Sequence, residues 1–174
     1  MRIQYEVKPF LELTALEVHD IFRLRSEVFI VEQDCPYQDV DGLDPGALHL
    51  LGRTPEGALE SYARLLQVGV SYPAHAAIGR VITSARVRGT GEGHRLMETA
   101  IREAERAYGA AVPLKLGAQD YALDFYRRLG FEPSGEGYLE DGIPHTPMEL
   151  KRPPGLERPP ELRRPPAPPG ASSG

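Results

Sequence analysis

The sequence predicts a mixed α/β domain over residues 1–150, followed by a tail of different character. Three observations lead to this fold class. Short apolar runs that suit strands alternate with amphipathic stretches that suit helices, in the order β-α-β-β-β-α-β-α-β-β. A glycine-rich turn joins the fourth strand to the second helix. Near residue 150 the composition shifts, and proline and arginine replace the apolar residues that a core requires.

The composition argues against several classes of protein. The chain has 174 residues, 41% of them apolar and 26% charged, and a formal net charge of −5. No apolar run approaches the roughly 18–20 residues that cross a bilayer, and we expect no secretory signal at the N-terminus. A single cysteine, Cys35, makes neither an internal disulfide nor a zinc site, which indicates the cytoplasm. The mildly acidic balance argues against nucleic acid as a partner.

The tail, residues 151–174, holds 8 of the 17 prolines. Arg-Pro-Pro repeats in it at 152, 158 and 164. Because a polyproline II helix has about three residues per turn, the three arginines would share one edge of such a helix. We expect an extended, disordered tail. A docking strip for an acidic or aromatic surface is the alternative.

The N-terminal elements are a strand and an amphipathic helix. The strand is expected over residues 5–13. Thr14 and Glu17 form a capping box that opens the helix, whose apolar stripe continues to Phe29. Arg25 interrupts this stripe. Since a buried unpaired charge is costly, Arg25 must be paired or line a cavity.

An acidic loop follows, with five carboxylates between residues 32 and 44. One interpretation is an acidic rim that attracts a cationic ligand. A second is a metal loop, because Asp39 and Asp41 are spaced as in a calcium-binding loop. However, the glycine of this loop comes too early, and Leu50 stands where a glutamate is needed, so no metal is expected. A solvated loop is the third interpretation.

The remaining elements complete the sheet. We expect strands over 48–53, 58–68, 77–83 and 114–118, helices after the glycine-rich turn and over 121–129, and a closing hairpin over 137–140 and 145–150. Asp141 and Gly142 form the turn of this hairpin. Pro144 indicates that the second strand of the hairpin begins irregularly or lies at an edge.

The glycine-rich turn suits a phosphate group. Gly89, Gly91 and Gly93 let the backbone approach a ligand with its N–H groups exposed, and the start of the next helix adds partial positive charge. The turn is not a P-loop, which closes with Gly-Lys-Ser/Thr. It also lacks the G-x-G-x-x-G spacing of a dinucleotide-binding turn. A glycine-rich turn without a ligand is the alternative.

Two motifs then resemble one known family. Arg88-x-x-Gly91-x-Gly93 resembles the acyl-CoA pyrophosphate motif of the GNAT N-acetyltransferases, and the Phe-Tyr-Arg-Arg-Leu-Gly-Phe segment at 125–131 resembles a second motif in that family's order. The segments at 32–33, 35–39, 41–42 and 140–145 resemble its ElaA-type branch. The resemblance covers about residues 5–150. It implies the α/β GNAT fold, a mixed, mostly antiparallel sheet splayed between two central parallel strands, with flanking helices.

The resemblance also implies where acetyl-CoA binds. The main chain of a bulged strand would hold the pantetheine arm, a role that falls to Val81, Ile82 and Thr83. The pyrophosphate would lie on the amides of Arg88, Gly89, Thr90, Gly91, Glu92, Gly93 and His94. Gln119 stands where an asparagine is more common and is a further candidate contact. Tyr126 would face the sulfur of CoA.

The family transfers acetyl directly to an amine, so Cys35 is not needed as a nucleophile. Tyr126 would protonate the departing thiolate, which suits a phenol with an ordinary pKa of about 10; an aromatic residue of the core is the alternative. A base must take a proton from the ammonium. Glu32 is the first candidate, because partial desolvation after an apolar helix raises the pKa of a carboxyl, and His145 is the second. Asp39, Asp41 and Glu140 are further candidates.

The candidate acceptor contacts are Arg25, Glu32, Asp39, Asp41, Arg64 and His145. Arg25 either binds a carboxylate of the substrate or braces the acidic loop by pairing with Glu32 or an aspartate. The predicted function is a cytoplasmic N-acetyltransferase that uses acetyl-CoA and no metal, with a small-molecule or protein amine as acceptor. We expect a monomer or homodimer without nucleic acid or membrane partners. The alternatives are a non-catalytic acyl-CoA sensor or scaffold, and an acyltransferase that uses a longer acyl-CoA.

Overall fold

A computed structural model of the chain describes residues 2–151. The predicted tail, apart from Lys151, lies outside these residues. None of the helices in the described part of the chain combines the length and the apolar composition that a bilayer crossing requires.

The observed elements follow the predicted order with one addition. They are β1 Gln4–Pro9, α1 Ala15–Arg25, β2 Leu48–Arg53, β3 Leu59–Leu66, β4 Ala76–Thr83, α2 Glu92–Tyr108, β5 Leu114–Gln119, α3 Leu123–Arg128, β6 Phe131–Pro133, β7 Tyr138–Glu140 and β8 Ile143–Leu150. The short strand β6 was not expected. The first strand is also shorter than expected, because it ends at Pro9, which has no N–H to continue the ladder, and a 3₁₀ turn follows it.

Helix α1 begins as the sequence predicts and then changes its winding. Both bonds of the capping box form, from the Glu17 amide to Thr14 Oγ1 at 3.2 Å and from the Thr14 amide to Glu17 Oε2 at 2.9 Å. After Arg25 the chain continues as a π-helical turn over Ser26–Glu32. The apolar stripe therefore continues past Arg25, but its C-terminal part lies on the wider π-helical turn. Such turns are often found at functional sites.

The sheet has the order β1-β2-β3-β4-β5-β8-β6, with β7 also paired to β8. β4 and β5 run parallel and pair at Ala76–Leu114 and Ala77–Lys115, after which they diverge. The other neighbouring strands are antiparallel. This confirms the mixed sheet that splays between two central parallel strands.

The core covers both faces of the central strands. Leu50 and Ala63 belong to the cluster that α2 packs against, whereas Leu51 and Tyr62 belong to the cluster around α1. Adjacent residues of one strand point to opposite faces, so β2 and β3 bury both of their faces. α1 and α2 therefore hold the sheet between them.

The closing hairpin turns at Asp141 and Gly142, which have φ angles of 50° and 77°. These positive values are those of the turn that the sequence predicts. Pro144 is not on an edge strand, because β8 lies between β5 and the pair β6 and β7. Instead, Pro144 precedes His145, the first residue of β8 that pairs with β5, so its missing N–H leaves no gap in that ladder.

Candidate active site

A cleft of about 750 Å³ opens where β4 and β5 diverge. Its walls come from these two strands, the π-helical turn, the acidic loop and the β7–β8 hairpin. Many of the residues that the sequence singles out line it, namely Glu32, Asp41, Arg64, Val81, Ile82, Thr83, Arg88, Gln119, Tyr126, Glu140 and His145. Residues 89–94 lie beyond this lining, and so do Arg25 and Asp39.

Strand β4 is bulged inside the cleft. Its register against β3 shifts between Ile82 and Gly79, and Arg80 takes a φ of 51°, which only a few non-glycine residues adopt. A bulge interrupts the ladder and leaves main-chain groups without a strand partner. The predicted pantetheine contacts therefore lie on a strand with the irregularity that this role requires.

The glycine-rich turn presents free amides at the start of α2. Gly89 and Gly91 have φ angles of 76° and 85°, and a Cβ at either position would meet no atom within 4 Å. Glycine is thus needed for backbone conformation rather than for space. The first hydrogen bond of α2 runs from the Arg95 amide to the Gly91 carbonyl, so the amides of residues 92–94 precede the helical ladder and are available to an anion.

Two side chains of this turn, those of Glu92 and Thr90, are bonded to other parts of the protein. Glu92 is buried, and its carboxylate accepts hydrogen bonds from Tyr5, from Ser61 Oγ at 2.8 Å and from Arg95 Nη2 at 2.7 Å. Thr90 donates its hydroxyl to the Val87 carbonyl at 2.6 Å. Glu92 therefore anchors α2 to β1 and β3, and its contribution to a phosphate site is limited to its amide.

Tyr126 lines the cleft from α3. Its ring makes edge-on contacts with Phe125 and Phe131, at centroid distances of 5.0 and 6.1 Å. Burial, with a smaller contribution from the neighbouring phenol of Tyr121, raises the pKa of Tyr126 well above its ordinary value. The phenol is thus both an aromatic packing residue and a protonated group at the cleft surface, so the two interpretations are compatible.

Residues 32–35 contact three walls of the cleft in turn. Glu32 Oε2 lies 2.7 Å from Arg88 Nη2, before α2. The amide groups of Gln33 and Gln119, at the end of β5, exchange two hydrogen bonds of 3.2 Å. We call these four residues the strap, because they cross from the glycine-rich turn to the hairpin.

The third contact of the strap involves its cysteine. Cys35 is buried and donates its thiol to the Asp141 carbonyl at 3.4 Å. This is the packing role that the sequence favours. Gln119, a predicted contact of CoA, is meanwhile held by Gln33.

His145 lies at the start of the β8 pairing with β5, opposite Gln119. Its Nδ1 is 2.7 Å from the Ile143 carbonyl, which is an acceptor, so Nδ1 carries the proton. In the neutral ring Nε2 is then left with its lone pair, and it lies 3.6 Å from Glu140 Oε2. The Tyr138 ring stacks on the imidazole at 5.5 Å.

Arg25 does not reach the cleft. Its side chain is 0% exposed and bonds Asp39 Oδ2 at 2.8 Å and Asp44 Oδ1 at 2.6 Å. Asp39 is buried as well and also binds Arg80 Nε at 2.8 Å. The geometry does not support the expected substrate contacts of Arg25 and Asp39, because both side chains are enclosed in one ion-pair network. Bracing of the loop, the alternative for Arg25, is what the contacts show.

The same network continues to the floor of the cleft. Arg64 binds both carboxylate oxygens of Asp41, at 2.8 and 2.7 Å, and Asp44 Oδ1 at 3.0 Å. Burial opposes ionisation of Asp41, but the hydrogen bonds from Arg64 and the Leu43 amide, together with the charges of Arg64 and Arg80, outweigh it, so the pKa of this carboxyl lies well below its usual range. Three arginines thus neutralise three aspartates of the acidic loop. These aspartates brace the fold and do not form a free acidic rim.

The metal interpretation of the loop finds no ligand set. Among residues 2–151, no group of three or more His, Cys, Asp or Glu side chains is placed to hold a metal ion. The carboxylates of the loop bind guanidinium groups instead.

Sequence reasoning missed two kinds of residue here. Arg80 and Asp44 complete the ion-pair network, and a charge inside the apolar run 77–83 was a signal of the same kind as Arg25. Tyr72 and Tyr138 also line the cleft. They come from a loop and from an exposed strand, and no local pattern marks such positions.

Comparisons with known proteins agree with this geometry. The family model described as "Acetyltransferase (GNAT) domain" matches residues 27–152. The protein ElaA of Escherichia coli is 40% identical over 139 residues, which cover 79% of this chain and 89% of that protein. The UPF0039 protein sll0451 of Synechocystis sp. is 38% identical over 154 residues, covering 88% and 99%.

Solved structures show the same likeness. The crystal structure of an acyl-CoA N-acyltransferase from Pseudomonas aeruginosa has a TM-score of 0.80 and 42% sequence identity, and the match covers 86% of this chain and 100% of that one. The crystal structure of Escherichia coli ElaA has a TM-score of 0.79 at 36% identity, with the same coverage.

Proposed function

The chain belongs to the GNAT acetyltransferase family, in its ElaA-like branch, and from this premise we propose that it transfers an acetyl group from acetyl-CoA to a primary amine. The amine attacks the thioester carbonyl directly, a C–N bond forms, and the C–S bond breaks. The base takes one proton from the substrate ammonium before the attack, the thiolate takes one from Tyr126, and the nitrogen releases its second proton as the amide forms, which restores the phenol. A cytosolic site of action is part of the proposal, because the one cysteine is buried and forms no disulfide.

The donor half of the proposal depends on two main-chain features. The bulge at residues 79–82 leaves strand amides and carbonyls without ladder partners, and the amides of residues 92–94 precede the hydrogen bonds of α2. A pantetheine arm needs the first feature and a pyrophosphate needs the second. The donor supplies the activated acyl group, and the chain supplies these contacts.

Tyr126 is the group that carries the acid role. It lines the cleft, and its raised pKa keeps the phenol protonated at neutral pH. Its ring is held in place by Phe125 and Phe131, so the hydroxyl has a fixed direction. A fixed, protonated donor beside the sulfur stabilises the leaving thiolate.

For the base we propose His145 in preference to Glu32. The bond from Nδ1 to the Ile143 carbonyl leaves Nε2 of His145 as an acceptor in the cleft. Glu32 is instead paired with Arg88 at 2.7 Å, so its carboxylate would have to break this ion pair before it could accept a proton. Glu32 fits better as the residue that holds Arg88.

The test is the release of free CoA thiol from acetyl-CoA with a panel of primary amines. The wild-type chain is expected to release thiol, and Tyr126→Phe is expected to lower kcat by about 100-fold, the usual size of a general-acid contribution. Tyr108→Phe is the matched control, because this phenol donates to the Leu65 carbonyl and does not line the cleft.

Three results would count against the proposal. A panel without thiol release, together with acetyl-CoA binding that Tyr126→Phe leaves unchanged, would favour a non-catalytic acyl-CoA sensor. Preference for a longer acyl-CoA in competition with acetyl-CoA would correct the donor. Equal rates for Tyr126→Phe and Tyr108→Phe would remove the acid role.

A further inference from the structure

The cations of the cleft lining are already neutralised. Arg64 is bound to Asp41 through two hydrogen bonds, Arg80 Nε lies 2.8 Å from Asp39 Oδ1, and Arg88 Nη2 lies 2.7 Å from Glu32 Oε2. Among the described residues, no arginine other than these three lines the cleft. A substrate carboxylate would therefore have to displace an aspartate or glutamate from its arginine, which costs more than binding to a free cation.

Two carboxylates of the lining are in the opposite situation. Glu140 and Asp141, in the β7–β8 hairpin, have no lysine or arginine within ion-pair distance in the part of the chain that the structure describes. The nearest titratable base is His145, whose Nε2 is 3.6 Å from Glu140 Oε2. Lys115 is close to this wall, but its ammonium lies over the Tyr72 ring at 5.0 Å, and it does not line the cleft.

Two tyrosines, Tyr138 and Tyr72, lie beside His145 and Gly117 on this wall of the cleft. Tyr138 stacks on His145, and its hydroxyl lies against Gly117, where a Cβ would come within 2.1 Å of it. The same Cβ would be 3.9 Å from the hydroxyl of Tyr72. Burial, with the charge of Glu140 as a second cause, raises the pKa of Tyr72. Glu140 lines the cleft with its side chain 57% exposed, so a second ammonium can reach it.

From this charge distribution we infer that the acceptor is a small diamine or polyamine, with one amine facing His145 and a second ammonium on Glu140 and Asp141. The inference rests on the function proposed above and names its acceptor class. An acceptor that carries a carboxylate as well as the amine is disfavoured, because the arginines that could bind the carboxylate are already paired. The strap favours a small acceptor, since within four residues it is fastened to the glycine-rich turn, to β5 and to the hairpin.

Three amines with the same carbon chain test the charge requirement. Cadaverine is the five-carbon diamine, pentylamine has the same chain with one amine, and lysine is cadaverine with an added carboxylate. We expect kcat/KM, measured by thiol release from acetyl-CoA, to be about tenfold or more higher for cadaverine than for either of the others. Pentylamine lacks the ammonium that would pair with Glu140, and the carboxylate of lysine would be left without a cation.

A pair of variants tests the location. Glu140→Gln is expected to raise the KM for cadaverine by about tenfold while changing the KM for pentylamine much less, since only cadaverine has the second ammonium. Glu136→Gln is the matched control, because this exposed glutamate precedes the same hairpin and does not line the cleft. It should retain the preference for cadaverine.

The outcomes separate this inference from the function on which it rests. Thiol release that is equal for cadaverine and pentylamine, or higher for lysine, would overturn the diamine while leaving the acetyltransferase intact. A lysine-containing basic peptide that is a better acceptor than all three amines would overturn it in favour of a protein substrate. The absence of thiol release with every amine would remove the proposed function itself.

Discussion

The phenol of Tyr126 illustrates how burial sets the chemistry of a single residue. A buried phenolate would be costly, so the pKa of Tyr126 rises and the group stays neutral through the physiological range. In the proposed mechanism, this phenol keeps its proton until the C–S bond breaks. The proton can be donated as a hydrogen bond while negative charge develops on sulfur, and this timing favours the transition state over the bound substrate.

The choice of base gives a prediction at the same scale. His145→Asn should lower kcat by about 100-fold, because no acceptor remains for the proton of the ammonium, whereas Glu32→Gln should have a smaller effect on kcat. The measurement is steady-state thiol release with one amine at saturating acetyl-CoA. His19→Asn, an exposed position of α1, serves as the control. A larger loss for Glu32→Gln than for His145→Asn would restore Glu32 as the base.

At the scale of elements, the turn before α2 depends on left-handed glycines. Gly91→Ala should weaken acyl-CoA binding. The left-handed conformation costs an L-residue about 1–2 kcal/mol, and the backbone would relieve this strain by rotating, which turns the free amides away from the ligand. Isothermal titration with CoA measures the change. Gly46→Ala is the control, because Gly46 has no positive φ and equally open surroundings. The same loss of affinity in both variants would show that the φ angle is not the cause.

The ion-pair network joins α1, β3 and β4 to the acidic loop, through Arg25, Arg64 and Arg80 respectively. Arg25→Met should lower the free energy of unfolding by about 3–5 kcal/mol, because it leaves Asp39 and Asp44 as buried charges without this partner. Urea denaturation measures the change. Arg23→Met, two residues earlier on the exposed side of the same helix, should be nearly neutral. Similar losses in both variants would show that the buried pairs contribute little.

At the scale of the whole molecule, local signals were read correctly and long-range partners were not. The capping box at Thr14 and the turn at Asp141 follow from a few neighbouring residues, and the structure confirms them. The need for a partner of Arg25 was also visible in its apolar stripe. The identity of these partners could not be predicted, because Asp39 and Asp44 approach Arg25 only when the loop folds over α1 and β3.

Other features were beyond sequence reasoning for physical reasons. The strand β6 has three residues, too few to show a period, and it forms because β8 offers it an edge. The splay between β4 and β5 came from the family resemblance and not from a pattern. The free carboxylate of Glu140 could not be recognised, since it depends on which arginines are occupied elsewhere.

The network also gives the whole molecule a defined response to acid. Burial alone would raise the pKa values of Asp41 and Asp44, but the hydrogen bonds and charges of the paired arginines together outweigh it, so both pKa values lie below the ordinary value of 3.8. A carboxyl whose pKa is lower in the folded than in the unfolded state stabilises the fold. This stabilisation is fully present at pH values above the unfolded-state pKa, and it is lost as the pH falls from there through the folded-state pKa. Thermal melting should therefore show this contribution unchanged between neutral pH and about pH 5, with a loss beginning near pH 4.

The variant Asp41→Asn tests the assignment of that loss. It should have a lower melting temperature at neutral pH and a weaker dependence on acid, because one of the titrating carboxyls is gone. A variant with the same acid dependence as the wild-type chain would show that other carboxyls are responsible.

The short ladder between β4 and β5 has a consequence for how the molecule holds together. Two residue pairs, Ala76–Leu114 and Ala77–Lys115, join the antiparallel half formed by β1–β4 to the half formed by β5–β8. A donor bound between these strands would connect them, because it would make the backbone contacts that a longer ladder would otherwise make. If the acyl donor binds there as proposed, the two halves of the sheet should move less relative to each other in the donor-bound protein than after CoA is released.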